Sequence, residues 1–410
     1  MNHELIIVLN SDGHRGIAVG RAVREMQVFC EVLSHKTTID EIKGKDPKGI
    51  IITGDFSTVE KDLAALNIPL LHMQDEDENK ISDFLFKTCV LKGDWIMENV
   101  AYELVEAMKE KIGGKKVLCA LSGGVDSTVV AVMLHKACGK NLNCIFVDHG
   151  LMRLNEGDEV ERVFTKDFNI NITRVNAQDR FLGKLKGVTD PEQKRKIIGE
   201  EFIRVFEEEG KKIGAVDFLA QGTIYPDVIE SGMDGSALVK SHHNVGGLPD
   251  VIDFNEIVEP LRDLFKDEVR KAGLALGIDE ELIYRQPFPG PGLGVRVLGE
   301  ITKEKLDILR QTDHIYREEI KKAGLDRKIW QYFTIFTGLR SVGVKDSARA
   351  YGYTIALRAV NSRYTVTAEW VRIPYDVLEV ISERITSEVP EITRVVYDIT
   401  GKPPASIEWE

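Results

Sequence analysis

Seven consecutive residues hold the densest chemistry in the sequence: Ser122, Gly123, Gly124, Val125, Asp126, Ser127 and Thr128. They follow an apolar run, Val117 to Leu121, that has the composition of a buried strand. They open a second apolar segment, Val129 to His135, that reads as a helix. A strand, a glycine turn and a helix start together make an anion cradle. Glycine lets the backbone approach a phosphate closely, and the first N–H groups of the helix point at it. Ser122, Ser127 and Thr128 add hydroxyl donors. Asp126 would repel a bare phosphate, so its presence points to a metal ion bridging the two. The Walker string of Gly, four residues and Gly-Lys-Ser/Thr does not occur. The plain alternative is a glycine turn beneath a core helix.

Other reactive residue types sit where strands are expected to end. Asp148-His149-Gly150 and Arg153 follow one apolar run, and Gln221-Gly222-Thr223 follows another. The stretch from Gln221 to Ser231 reads as a loop whose acids reach a metal or a hydroxyl, or else as a capped turn. His242 and His243 are adjacent, and consecutive side chains diverge on a regular element, so they make a poor chelate. A loop that brings Lys240 to a phosphate fits the stretch better. Asp190 to Lys196 is a charged turn entering a helix, either a solvated face or a phosphate contact. The five cysteines are Cys30, Cys89, Cys119, Cys138 and Cys144. Their number is odd and no Cys-x-x-Cys occurs, which points to a reducing cytoplasm without disulfides or a cysteine zinc site.

The elements that must position these residues fall into three groups. Residues 1–92 read as a small α/β unit, with strands at Leu5 to Leu9, Val32-Leu33, Gly49 to Ile52 and Ile68 to Leu71, and a helix from Ile17 to Val28. An acidic run, Asp75 to Glu78, closes it as a solvated turn. Residues 93–285 alternate strand-like runs (117–121, 143–147, 172–175, 217–220) with helical patterns. That alternation implies a parallel sheet covered by helices, with ligands at the carboxyl ends of its strands. Residues 286–410 begin with a Pro/Gly linker, Pro287 to Gly294, and continue as an α+β unit. Helices are expected at 302–322 and 375–387, and strands at 333–336, 354–360 and 393–399. Its basic residues near turns, Arg296, Arg340, Lys345 and Lys402, are candidates for holding a monophosphate or are plain surface cations.

Composition bounds the function. Hydrophobic residues make up 43% and charged residues 29% of the 410, ordinary for a globular chain with two or three domains. A net charge of −12 argues against a general binder of nucleic acid or membrane surface. No apolar run approaches the ~20 residues needed to cross a bilayer, and no signal peptide is apparent.

Ser122 to Ser127 resembles the pyrophosphate loop of the ATP pyrophosphatases, which cleave ATP between the α- and β-phosphates. With 147–153, 190–199, 221–231, 240–244, 259–270, 287–296 and 401–410, it resembles the GMP synthetase family from about Leu91 to Glu410. The resemblance implies XMP as acceptor, ATP as co-substrate, ammonia as nucleophile and a C-terminal dimerisation domain that makes a homodimer. It implies ATP on the loop 122–128 with Val147 flanking the adenine, Mg²⁺ at Asp126, and Asp126 and Lys240 acting in catalysis. It implies XMP on Arg153, Gln331, Lys402, Ile407 and Glu408. Lys402 suits the phosphate, and Glu408 suits either the ribose hydroxyls or the purine edge.

Residues 1–92 resemble the first half of a class I glutamine amidotransferase domain, in the order opening strand, helix, 28–33 and 47–54. The family places a cysteine nucleophile after a strand such as Ile68 to Leu71. Here His72-Met73-Gln74 and acids follow. The partner His and Glu have no matching segment, and the oxyanion loop is reduced to Thr53-Gly54-Asp55-Phe56. A thiolate needs a positioned base, so this unit is expected not to hydrolyse glutamine. Ammonia then comes free or from a separate glutaminase subunit. Two rival readings stand beside this one: a ligase for another acceptor, and a non-catalytic nucleotide-binding protein. XMP-dependent pyrophosphate release excludes both.

Overall fold

The computed structural model describes residues 3–11, 14–34, 36–54, 60–75, 77–233, 254–345, 347–362 and 367–410. The chain is α/β, with three sheets among the described residues. The first is built from β1 (Leu5–Asn10), α1 (His14–Glu25), β2 (Phe29–Ser34), α2 (Ile39–Gly44), β3 (Gly49–Thr53), α3 (Glu60–Ala64), β4 (Leu70–Met73) and α4 (Glu78–Asp83). Its four strands are parallel in the order β2-β1-β3-β4. Helix α1 stops earlier than its apolar pattern suggests, because Gln27 takes a left-handed backbone (φ 61) and breaks the run before Val28. The acidic run after β4 is more than a solvated turn: Asp77 caps α4 by accepting from the Asn79 and Lys80 N–H groups.

The second unit follows a lead helix, α5 (Met97–Ile112). It comprises β5 (Val117–Leu121), α6 (Val125–Cys138), β6 (Leu142–Asp148), α7 (Glu156–Arg162), β7 (Ile172–Asn176), α8 (Gln178–Leu185), α9 (Pro191–Ile213), β8 (Phe218–Ala220), α10 (Tyr225–Met233), β9 (Glu256–Val258), α11 (Lys266–Ala275) and α12 (Glu280–Ile283). All five strands run parallel in the order β7-β6-β5-β8-β9. The chain winds outward from β5 to β7, then returns to the other side of β5 with β8. That reversal opens a crevice above the carboxyl ends of β5 and β8. Part of the expected loop from Gln221 to Ser231 is helix α10 instead. Pro226 is tolerated there because first-turn N–H groups need no helical acceptor. The short strand β9 carried too few residues to stand out in the sequence.

The third unit holds α13 (Lys303–Lys322), β10 (Gln331–Lys345), β11 (Ala348–Asn361), β12 (Glu369–Trp370), α14 (Tyr375–Glu388) and β13 (Ile392–Asp398). Strands β10 and β11 form a long antiparallel hairpin, and β13 joins β11 in parallel. The sequence pattern suggested a strand only to Phe336. The register shifts between Phe336 and Arg340, where Gly338 has φ 72, and pairing then resumes to Lys345. The bulge hid the second half of the strand.

The C-terminus staples the second and third units. The Lys194 side chain has no exposure, and its Nζ donates to the Val297 carbonyl at 2.8 Å and to the Glu410 carboxylate. Arg195 donates to the Glu410 carbonyl, and the Gly299 N–H donates to Glu410 Oε1 at 3.0 Å. Lys194 and Arg195 are thus spent on the staple, while Asp190, Glu192, Gln193 and Lys196 stay exposed as a solvated face. A buried ammonium that loses its partner costs on the order of 3 kcal/mol. Glu410→Ala is expected to lower the unfolding free energy by about that much in urea titrations. A loss below about 1 kcal/mol would show that the staple carries no weight.

Candidate active site

The loop between β5 and α6 is held from below. Residues Val129 to Leu134 are buried all round α6, so the helix cannot shift against the sheet. Gly123 has φ 74, a region that disfavours side chains, and a Cβ there would meet Val160 at 3.3 Å. Gly124 is the N-cap residue and supplies no side-chain cap. The loop organises itself through its hydroxyls. Ser122 Oγ accepts from the Gly124 N–H at 3.3 Å. Ser127 and Thr128 donate to the Gly124 carbonyl at 3.1 and 2.8 Å. That ordering aims the helix start outward, at the carboxyl edge of the sheet, where an anion is favoured.

Asp126 stands at the rim of this start. Both its oxygens accept from Lys266 Nζ, at 2.5 Å. Lys266 is the first residue of α11, and a cation there opposes the helix dipole. That misplaced charge was a signal in the sequence, and sequence reasoning did not use it. Gly222 faces the same acid: a Cβ on it would lie 3.7 Å from Asp126 Cβ. Among the described residues no three His, Cys, Asp or Glu side chains converge as a metal cluster. One partly exposed carboxylate beside a phosphate cradle is the protein share usual for Mg²⁺, which is otherwise held by substrate oxygens and water.

A second cluster lies beside the first. Arg153 is buried, its guanidinium sits 4.2 Å from the Phe288 ring centre, and none of its three side-chain nitrogens has a hydrogen-bond partner. Glu156 and Asp313 stand 3.8 and 3.9 Å away. Burial pushes its pKa well below the ordinary guanidinium value; Arg317, Arg296 and Arg285 add to this, and Asp313 opposes it. A guanidinium keeps its proton at neutral pH. Gathering these cations is therefore relieved by an anion, not by deprotonation. Arg296 lies over Phe333 at 3.9 Å and grips Glu408 through two bonds of 2.8 and 3.0 Å. Gln331 Nε2 donates to the same carboxylate at 3.1 Å. Arg285 joins the two clusters: it donates to the Gly123 carbonyl at 2.9 Å and pairs with Glu156. Glu156 in turn accepts from the Arg153 N–H at 3.0 Å.

The structure thus brings Ser122, Gly123, Gly124, Val125, Asp126, Ser127 and Thr128 into one cradle, and Arg153, Gln331 and Glu408 into an adjoining one. Ile407 packs on the small cluster of Phe333, Ile335 and Ala356. Lys402 bridges to Ala368 through its backbone. Val147 lies one residue from the carboxyl end of β6, with its side chain buried in the core, so that only its backbone is left to flank a base. Arg340 and Lys345 lie on the outer hairpin and donate to the Tyr351 carbonyl of β11 and to the Pro390 carbonyl ahead of β13, which fits the reading of them as plain surface cations. Lys240 and the histidine pair lie outside the described residues, as do Asp55 and Phe56. Sequence reasoning missed Arg285, Phe288 and Asp313 as site residues, along with Arg310, which donates to the Met152 carbonyl at 3.0 Å and steadies the turn before Arg153.

In the first unit no cysteine is poised as a nucleophile. Burial pushes Cys30 up to about 11, and its sulfur donates to the Gly20 carbonyl. Burial also pushes Cys89 up to about 11. A thiol at that value is not a thiolate at neutral pH.

Two family models match the chain: the PP-loop domain over residues 96–187 and the GMP synthase C terminal domain over residues 318–409. The chain is 51% identical to the glutamine-hydrolyzing GMP synthase of Acetivibrio thermocellus over an alignment covering the whole of both chains. It is 48% identical to those of Ruminiclostridium cellulolyticum and Clostridium botulinum, again over the whole of both. The alignments run to 511 positions against 410 residues, so at least 101 positions have no residue of this chain opposite them.

His149, just after β6 and with its ring near Phe181, is set as a neutral imidazole. It is buried, its Nδ1 accepts from the Leu151 N–H at 3.0 Å, and burial pushes it down to about 4. An unfolded histidine titrates near ~6.5. Between those values the unfolded chain takes up a proton that the folded chain refuses, so stability present above pH ~6.5 is lost as pH falls toward 4. The loss is on the order of 2–3 kcal/mol. Urea unfolding of His149→Asn, whose Oδ1 can replace Nδ1 as acceptor, is expected to show a flatter pH dependence by that amount. Equal slopes for the two proteins would contradict it.

Proposed function

The chain belongs to the GMP synthase family, and from that premise we propose that it aminates XMP to GMP through an adenylyl-XMP intermediate. The observation that carries the reading is the junction of the two clusters: a phosphate cradle at the sheet's switch point, tied by Arg285 and Glu156 to a buried Arg153 whose side-chain nitrogens have no hydrogen-bond partner. One suits a triphosphate and the other a nucleoside monophosphate.

The XMP C2 oxygen attacks the α-phosphorus, and the bond to the β-phosphate oxygen breaks as pyrophosphate leaves. Ammonia then adds at C2, loses a proton and expels AMP, leaving GMP. The helix start and the Ser122 hydroxyl hold the phosphates in line for the first step. Lys266 sits where it can follow charge from Asp126 to the departing pyrophosphate, and Lys240 is assigned the same kind of role. Mg²⁺, when bound, supplies charge neutralisation on the phosphates, with Asp126 as its protein ligand. Arg153 and Lys402 bind XMP with Gln331, Ile407 and Glu408. Glu408 would exchange its hold on Arg296 for the nucleotide.

Within this reading residues 1–92 are an amidotransferase-like unit without glutaminase chemistry, 93–285 the ATP pyrophosphatase unit, and 286–410 the unit for dimerisation and XMP. The raised cysteines and the unmatched alignment positions support the first assignment. The relatives' names include glutamine hydrolysis, so the ammonia source sets this chain apart: ammonia is taken up free or delivered by a separate subunit. The five unpaired cysteines suit a reducing cytoplasm. The outer hairpin exposes Leu339, Val342, Val344 and Tyr351, an apolar patch suited to a second copy.

Purified chain with XMP, ATP and Mg²⁺ is expected to form GMP from ammonium and none from glutamine in ammonia-free reagents. GMP from glutamine would overturn the reading of residues 1–92; none from ammonium would overturn the synthase. Arg153→Gln is expected to raise KM for XMP about 30- to 100-fold, the worth of a charge-assisted contact, with KM for ATP little changed. Equal effects on both nucleotides would move Arg153 out of the XMP site. Sedimentation is expected to show a dimer that Val342→Asp dissociates; a monomeric parent chain would contradict the patch assignment.

A further inference from the structure

We propose that Arg24, in the unit without glutaminase chemistry, is a positioning residue for Lys266 and so for the synthetase reaction. The proposal rests on reading the Ser122–Thr128 loop as the ATP site. Lys266, Asp267 and Glu268 make the first turn of α11. Residues two apart on a helix point to nearly opposite sides. Lys266 therefore reaches toward Asp126 while Glu268 reaches back into the first unit.

There Glu268 is 2% exposed and fully engaged. Arg24 Nη1 donates to both its oxygens at 3.2 Å, Trp95 Nε1 donates at 2.6 Å and the Phe265 N–H at 2.8 Å. Arg24 also donates to the Asp263 carbonyl at 3.2 Å and, through Nη2, to the Cys30 carbonyl of β2 at 2.7 Å. Its acceptors thus stand just before and just after Lys266 in the chain. Its guanidinium lies against the rings of Phe29 and Trp95, 4.4 and 4.7 Å from their centres. Arg21 adds an outer tie to Asp267 at 3.4 Å.

The other neighbour of Asp126 is anchored to the same strand. Gly222 leads into α10, whose first residue, Tyr225, accepts from the Val32 N–H of β2 at 2.5 Å through its hydroxyl. Two segments facing the catalytic acid are therefore braced by β2 and α1. A lysine at the first position of a helix is opposed by the dipole, so its place depends on what holds that turn. The first unit is thus a working part of the ligase site, although it carries no nucleophile of its own.

The test is a double-mutant cycle on the full chain, read as ammonium-driven, XMP-dependent pyrophosphate release. Lys266→Ala is expected to lower kcat by about tenfold or more, and Arg24→Gln by about five- to tenfold with KM for XMP unchanged. The double variant should be no slower than Lys266→Ala alone, because Arg24 acts through the lysine. Arg24→Lys should recover part of the rate. Additive losses, or an Arg24→Gln protein that keeps its kcat within about twofold, would overturn the proposal. If Arg24→Gln does not fold, Arg21→Ala serves, since its pair with Asp267 is partly exposed. A kcat loss of about two- to threefold that vanishes in the Lys266→Ala background supports the brace, and no loss overturns it. A parent chain that releases no pyrophosphate with XMP would overturn the ATP-site reading and this proposal together. Activity in the parent with insensitive Arg24 and Arg21 variants would overturn the brace alone.

Discussion

The start of helix α6 concentrates N–H groups that no side chain of Gly124 caps, and the surrounding fold keeps that start in one place. A helix buried on every side cannot roll or slide without opening cavities, so α6 carries a loop with little freedom. Gly123 supplies the positive φ, and the hydroxyls of Ser122, Ser127 and Thr128 hold Gly124 from within. Preorganisation of this kind is what electrostatic catalysis needs, because the dipoles then need not turn as charge develops.

The same economy appears in the second cluster. Placing Arg153, Arg285, Arg296 and Arg317 within each other's fields is unfavourable, and Phe288 and Phe333 exclude the water that would screen them. Glu156, Asp313 and Glu408 offset part of that charge. The remainder suits the compact anion proposed for this site, and Arg285 links the cluster to the Gly123 carbonyl.

Much of this was legible locally. Strand, glycine turn and helix start are adjacent in sequence, so Ser122 to Thr128 could be read directly. Arg153 and Glu408 came from a likeness to known motifs, and the structure links them through Arg296, which holds Glu408 and shares the Phe288 ring with Arg153. What stayed hidden depends on distant pairing. Lys266 meets Asp126 across 140 residues, Lys194 meets Glu410 across 216, and Arg24 meets Glu268 across 244. Periodicity carries no information at those separations. The burial of the Val147 side chain was hidden for a different reason: a parallel sheet covered on both faces buries both sides of each strand, so alternation does not tell a ligand-facing residue from a core residue.

The account turns on whether the XMP oxygen, and not water, attacks the α-phosphorus. The most direct measurement is ¹⁸O transfer from XMP labelled at the C2 oxygen, with ammonium, ATP and Mg²⁺, read by mass spectrometry of the products. Adenylyl transfer predicts one labelled oxygen in the AMP phosphate for each GMP formed, and none in pyrophosphate. Unlabelled AMP formed together with GMP would mean that ATP is cleaved without activating XMP, and the mechanism proposed for the two joined clusters would be wrong.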